Sequence, residues 1–120
     1  MSDYRCPRKT CVPGSPCEAC FRRAVTELAR LQGWRVFHAT DTADNVKTDS
    51  DPGFPDLALL RRREAGGVAE LLFLETKRLR GKLTEDQGWW LTTLNAVESV
   101  SAHMVKPDDW EKIERMLARE

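Results

Sequence analysis

The feature that most constrains this chain is an apolar run, Leu71-Leu-Phe-Leu74, which ends in Glu75-Thr-Lys77. The run predicts a central β-strand, and side chains alternate along a strand, so Glu75 and Lys77 project from the same face. An ionised carboxylate and an ammonium group are costly at the end of an apolar strand unless they are paired or bind a ligand. Glu75 and Lys77 are therefore either an ion pair at a strand end or part of a functional site.

A second acidic residue is predicted to lie beside Glu75. Gly53-Phe-Pro-Asp56 leads into a predicted strand at 56–60, and residues 64–67 form the turn into the strand at 68–76. Two strands joined in this way pair as an antiparallel hairpin, which brings Asp56 next to Glu75. Two carboxylates at short range repel each other, and a divalent cation is the usual reason that both stay ionised.

The rest of the pattern predicts one α/β domain at 16–120, preceded by an irregular arm at 1–15. The other predicted elements are a first helix that opens with a Ser15–Glu18 capping box, a strand at 34–38, a helix that opens with a Thr84–Gln87 capping box, a strand at 102–105 and a helix at 107–120. The order α-β-β-β-α-β-α predicts a sandwich around a mixed sheet.

The four cysteines, Cys6, Cys11, Cys17 and Cys20, all lie in or just after the arm. No apolar run approaches the roughly 20 residues of a membrane helix, and no secretory signal opens the chain, so we expect a cytoplasmic protein without membrane contact. Cysteines there are reduced thiols or metal ligands and not disulfides. One CxxC pair with two looser cysteines can complete a tetrahedral zinc site; reduced or partly buried thiols are the alternative.

Charge is balanced over the chain, with 19 basic and 19 acidic residues, so only its distribution bears on nucleic acid. Arg61–Arg63 and the segment Lys77–Lys82 are local basic clusters, which indicate either phosphate contacts or solvated strand ends. The predicted phosphate contacts are Arg61, Arg78, Arg80 and Lys82.

Phosphodiester hydrolysis is the chemistry that needs this set of residues. Asp56, Glu75 and the backbone carbonyl of Thr76 offer oxygen ligands to Mg²⁺ or Mn²⁺, which acidifies water and neutralises charge on the phosphate. Lys77 would orient or activate the attacking water. The alternatives are a catalytically silent nucleic-acid-binding module and a zinc-stabilised adaptor with structural carboxylates.

In this order and spacing, the motifs resemble the virus-type replication-repair nuclease (VRR-NUC) domain. The matching pieces are Glu18-x-x-Phe21, Leu28-Ala-x-x-x-Gly33-Trp34, Gly53-Phe-Pro-Asp56, Glu75-x-Lys77, Gly81-Lys-Leu-Thr-x-x-Gln87-x-x-Trp90-Leu91 and Pro107-x-Asp109. The resemblance implies a PD-(D/E)XK (restriction-endonuclease-like) fold and a homodimer that cuts branched, junction or flap DNA with Mg²⁺ or Mn²⁺. Small members often come from phages and bacteria, so a bacterial or phage-infected cell is the expected setting.

The resemblance also implies roles for individual residues. Asp56 and Glu75 become metal ligands and Lys77 the catalytic lysine. Gln87 would position the lysine or the substrate phosphate, and Glu18 would reach the metal through water; capping boxes are the alternative use of both residues. The cysteines are not part of the family pattern.

Overall fold

The computed structural model describes residues 6–8, 11–12, 14–39, 50–63 and 67–119 of the chain. Its elements are α1 (Glu18–Leu31), β1 (Arg35–His38), β2 (Leu57–Arg62), β3 (Ala69–Thr76), α2 (Glu85–Asn95), β4 (Val100–Val105), a 3-10 turn (Pro107–Asp109) and α3 (Trp110–Leu117). The predicted order of helices and strands is confirmed. Residues 64–66 of the predicted turn lie outside the described residues, as do 1–5, 9–10 and 13 of the predicted arm.

The four strands form one mixed sheet in the order β1-β2-β3-β4. β2 and β3 form the predicted antiparallel hairpin, in which Leu57 pairs with Leu74. β4 runs parallel to β3 on its other side, so β3 is paired along both edges. The second half of β3, Phe73 to Thr76, is buried. The apolar run is therefore the central strand of the sheet, as its composition predicts.

Helices cover both faces of the sheet, which makes this an α/β fold. α1 and α3 pack on one face and form the larger core, whose members include Val25, Leu57, Leu74, Ile113 and Leu117. α2 packs on the other face, where its Leu91 joins Phe73 and Ala102. None of the described helices has the length and apolar composition needed to cross a membrane.

The first helix does not start where the sequence pattern predicts. Ser15 pairs with Val12 in a short antiparallel bridge, so its backbone is committed to that turn and does not cap a helix. Cys17 is the N-cap instead, and its thiol accepts a hydrogen bond from the backbone N–H of Cys20. The predicted Ser15–Glu18 capping box is therefore wrong, and the Glu18 carboxylate is left for another use.

Arg61 is a structural residue, and the prediction that it contacts phosphate is wrong. The side chain is only 9% exposed, and its guanidinium lies 4.1 Å from the ring centroid of Trp34. It pairs with Glu70 at 2.8 Å and lowers the pKa of that carboxyl. It also donates to backbone carbonyls at the ends of α1 and α3, those of Gln32, Leu117 and Ala118. A cation placed there offsets the partial negative charge of two helix C-termini.

We expect Arg61→Ala to destabilise the fold by about 3 kcal/mol or more, because it removes a buried cation that pairs with Glu70 and donates to three backbone carbonyls, and it leaves Glu70 with the exposed Arg63 as its cationic partner. The neighbouring Arg62 is exposed, and Arg62→Ala, the matched control, should change stability by less than about 0.5 kcal/mol. Urea denaturation of the two variants measures the difference. Equal midpoints would contradict the structural role of Arg61.

Candidate metal centre

Asp56 and Glu75 meet at the end of the central hairpin. Leu57 pairs with Leu74, so Asp56 and Glu75 occupy the next opposed positions. The backbone N–H of Asp56 donates to Glu75 Oε2 at 3.1 Å. Asp56 Oδ2 accepts in turn from the backbone N–H and the hydroxyl of Thr76, at 3.1 and 2.7 Å. The predicted convergence of the two carboxylates is confirmed, and the coordination role of the Thr76 carbonyl stays a prediction.

Glu18 brings a third carboxylate from the first turn of α1. Ligand oxygens of Glu18, Asp56 and Glu75 all lie within 4.8 Å of one another. An ion with metal–oxygen bonds of about 2.1 Å holds neighbouring ligands about 3 Å apart and opposite ligands about 4 Å apart. The distances between the three carboxylate oxygens are thus close to those between the ligands of one Mg²⁺ or Mn²⁺ ion, and hard oxygen donors suit such an ion. We call these three residues the acidic cluster.

Lys77 and Gln87 both contact the buried end of Glu75. Lys77 Nζ lies 3.6 Å from Glu75 Oε1, so the two side chains project from the same face as predicted. Gln87 Nε2 donates to that same oxygen at 3.0 Å. Gln87 also completes the predicted capping box with Thr84 at the start of α2. The capping box is thus confirmed, whereas a role for Gln87 in positioning the lysine or the phosphate stays a prediction, because its contact at the site is to Glu75.

Glu75 is strained electrostatically when the site holds no cation. Its side chain is 2% exposed. Burial raises the pKa of Glu75 to about 7, and the neighbouring charges of Asp56 and Glu18 add to the rise. Lys77 and the N–H of Asp56 oppose it but do not cancel it. The acidic cluster thus carries more negative charge than its protein neighbours neutralise, which a divalent cation would correct.

The turn before Asp56 is held against α2. Gly53 has a φ of +97°, and a Cβ added to it would lie 2.6 Å from the α2 backbone, so glycine is required by conformation and by space. Phe54 packs edge-on against Phe73 and Trp90, with centroids 5.6 and 5.1 Å away. The Trp90 indole donates to the Pro52 carbonyl at 2.9 Å. These contacts fix the approach of the chain to the carboxylate that follows.

Two further residues that sequence reasoning did not assign to the site, Arg22 and His38, interact electrostatically at its edge, where His38 pairs with Leu57, the residue after Asp56. Burial and then the charge of Arg22 lower the pKa of His38, while the charge of Asp56 acts in the opposite direction. The three side chains are therefore close enough to interact. Arg22 follows Glu18 by four residues on α1, so the helical period could have placed it on the same face. Nothing in the sequence around His38 indicates its position.

The remaining basic residues divide between the two ends of the sheet. Arg78, Arg80 and Lys82 are exposed and follow Lys77 directly, in the segment between β3 and α2. They therefore lie at the end that carries the acidic cluster. Arg62 is six residues from Asp56 along β2, roughly 20 Å away in an extended strand. The cluster Arg61–Arg63 as a whole does not flank the carboxylates.

The four cysteines form a second group at the start of α1. Cys6, Cys11, Cys17 and Cys20 are free thiols. Their sulfur atoms all lie within 4.8 Å of one another. Cys17 and Cys20 flank Glu18, so the cysteines and the acidic cluster meet at the same helix terminus.

A scan against protein-family models finds no match, and searches of curated proteins and of solved structures find none either. The residues of the two clusters are thus the basis for assigning a function to this chain.

We expect the stability of Glu75→Gln, relative to wild type, to depend on pH in buffer without Mg²⁺ or Mn²⁺. The folded pKa of about 7 is above the ordinary value of 4.5. Between these values the folded wild type holds a proton that the unfolded chain has lost, so its stability falls as pH rises from 4.5 through 7. The glutamine variant does not titrate and lacks this loss. Its free energy of unfolding relative to wild type should therefore increase by roughly 1 to 3 kcal/mol between pH 5 and pH 8.

Denaturant unfolding at the two pH values measures this gain, with Glu98→Gln as the exposed control. The control should follow wild type at both pH values. A stability difference between Glu75→Gln and wild type that stays constant from pH 5 to pH 8 would contradict the raised pKa.

Proposed function

We propose that the chain is a metal-dependent endonuclease that hydrolyses DNA phosphodiester bonds. The observation that carries the proposal is the convergence of three carboxylates, from Glu18, Asp56 and Glu75, beside an amine, that of Lys77. A structural ion pair with Lys77 needs only one carboxylate. The two further carboxylates repel the first and each other, which costs free energy. That cost is explained if the site exists to bind a divalent cation.

Asp56 and Glu75 would hold the Mg²⁺ or Mn²⁺ ion directly, and Glu18 would contact it through water. When bound, the cation supplies positive charge that stabilises the transition state at the phosphate and makes the attacking water more acidic. Thr76 keeps the Asp56 carboxylate oriented through two hydrogen bonds to Oδ2. Gln87 does the same for Glu75. The protein thus pre-orients both ligands before substrate arrives.

Lys77 has the position of a group that acts on the water and the phosphate. Its side chain is 13% exposed, so the amine is shielded from bulk water but still reaches the surface of the site. A positively charged donor here orients the attacking water and stabilises negative charge that grows on the phosphate oxygens.

We further infer that the fold is of the PD-(D/E)XK type and that the chain is a VRR-NUC-like member of it. The support is the arrangement of the motif: an aspartate before one strand of a hairpin, a glutamate and a lysine at the end of the next, and a glutamine on the following helix. Each of these four residues contacts another member of the set, Asp56 through its backbone N–H and the other three through their side chains.

The substrate class follows from where the positive charge lies. Arg78, Arg80 and Lys82 form an exposed basic segment beside the acidic cluster, and such side chains contact phosphates and not base edges. A chain of 120 residues has a modest core. We propose that it acts as a homodimer, whose two sites cut the two strands of a branched DNA.

A specific observation favours a second candidate, a nucleic-acid-binding module or adaptor without catalysis. Among the described residues, every buried side-chain nitrogen and oxygen has a hydrogen-bond partner. Both oxygens of Glu75 and Oδ2 of Asp56 thus accept hydrogen bonds from protein groups. Metal-dependent cleavage of junction, flap and linear DNA separates the two candidates, because the second one binds DNA or protein and cuts nothing.

We expect Asp56→Ala, Glu75→Ala and Lys77→Ala each to lower cleavage of junction DNA by at least about 100-fold, because each removes a group that acts on the ion or on the reacting phosphate. Circular dichroism and urea unfolding should show that each variant is still folded. Glu98→Ala, which removes an exposed carboxylate, is the matched control and should cut like wild type. Wild-type cleavage by any of the three would remove that residue from the catalytic set.

We expect DNA binding to depend strongly on salt and little on sequence. Each phosphate contact adds about 0.9 to the slope of log affinity against log salt concentration. Replacing Arg78, Arg80 and Lys82 together by Ala should therefore lower the slope by about 2 to 3. Arg62→Ala, at the other end of β2, is the control and should leave the slope unchanged. Affinity that varies tenfold or more with sequence and hardly with salt would point to a sequence-reading enzyme instead.

A further inference from the structure

The acidic cluster does not account for the four cysteines. Cys6 and Cys11 come from the segment before the helix, whereas Cys17 caps α1 and Cys20 lies in its first turn. The chain folds back through the Val12–Ser15 bridge, which brings the two pairs together. All four side chains are partly buried, and every pair of sulfur atoms lies within 4.8 Å. Four thiols gathered from two segments need a physical reason to converge.

The sulfur spacing is that of ligands around one small metal ion. Cys6 Sγ lies 3.7 Å from Cys17 Sγ. A tetrahedral zinc ion with bonds of about 2.3 Å to each sulfur holds its ligands about 3.8 Å apart. A disulfide needs about 2.05 Å, which is far shorter. A four-iron cluster has to fit its own iron and sulfide atoms between the cysteines and therefore spreads them further apart than a single ion does.

Backbone N–H groups orient two of the four sulfur atoms. The N–H of Cys17 donates to Cys11 Sγ at 3.2 Å, and the N–H of Cys20 donates to Cys17 Sγ at 3.5 Å. Both donors lie at the N-terminus of α1, where the helix dipole also stabilises negative charge. Such outer contacts orient metal-binding side chains.

We propose that Cys6, Cys11, Cys17 and Cys20 bind one structural Zn²⁺ ion in a tetrahedral site. Four protein ligands close the coordination shell and leave no position for substrate, so the ion has a structural role. It cross-links Cys6 and Cys11 to the start of α1, where no Ser, Thr, Asp or Asn side chain serves as the cap.

The zinc site also has a consequence for the acidic cluster, which rests on the function proposed above. Glu18 lies between Cys17 and Cys20, so the zinc fixes the helix turn from which its carboxylate reaches Asp56 and Glu75. Glu18 is thus held by a metal site that takes no part in catalysis.

Wild-type protein tests the zinc site without any variant. Elemental analysis of protein purified without added metal should give one zinc per chain. Treatment with a mercurial reagent should release it as four thiols react, and replacement by Co²⁺ should give the intense sulfur-to-cobalt and d–d absorption of a tetrahedral four-thiolate site. Zinc below about one-tenth per chain, with four thiols that react freely and no such cobalt spectrum, would overturn the proposal.

Two variants then distinguish the zinc site from the acidic cluster. Cys6→Ser with Cys11→Ser should lose the bound zinc and lower the thermal unfolding midpoint, whereas Asp56→Asn should keep one zinc per chain. Full zinc content in the cysteine variant, or loss of zinc in Asp56→Asn, would place the ion elsewhere and overturn the proposal. Failure to cleave DNA would leave these results unaffected, so the zinc site and the proposed nuclease activity are tested separately.

Discussion

Burial of the Glu75 carboxylate at the end of the central strand is the constraint on which the functional end of the molecule depends. A charge in that position needs partners, and the surrounding elements each supply one. The hairpin partner of β3 offers the Asp56 N–H, α2 offers Gln87, and the strand itself offers Lys77 two residues later. Even so, burial and then the charges of Asp56 and Glu18 raise the pKa of Glu75 to about 7. The fold therefore assembles a site with excess negative charge, which the proposed divalent cation would neutralise.

The N-terminus of α1 connects the two candidate metal sites. Cys17, the N-cap, and Cys20 belong to the cysteine cluster, whereas Glu18 between them belongs to the acidic cluster. Soft sulfur ligands and hard oxygen ligands prefer different ions, so adjacent sites of these two kinds can be loaded independently. The proposed zinc site would cross-link the start of the helix that carries Glu18, and would thereby help a domain with a small core to hold the crowded acidic cluster in place.

The parts of the site that rest on local rules could be predicted from the sequence. Strand alternation and the hairpin were enough to bring Asp56, Glu75 and Lys77 together, and the Thr84–Gln87 pattern located the start of α2. Arg61 could not be placed in this way, because its partners include carbonyls 56 and 57 residues away at the end of α3. The prediction that Ser15 is the N-cap of α1 was wrong because the backbone of Ser15 forms a β-bridge with Val12. Local sequence propensities do not indicate this bridge. His38 lies near Asp56 because β1 pairs with β2 in this register, which the sequence around His38 does not indicate.

Binding of Mn²⁺ to the acidic cluster is the measurement closest to the central claim. Electron paramagnetic resonance reports free Mn²⁺ and can follow its titration with zinc-loaded protein, independently of any cleavage. The account predicts that wild type and Glu98→Gln bind the ion, and that Asp56→Asn and Glu75→Gln each weaken binding at least about tenfold, a loss of about 1.4 kcal/mol. Equal Mn²⁺ affinity in all four proteins, or no binding by wild type, would contradict it.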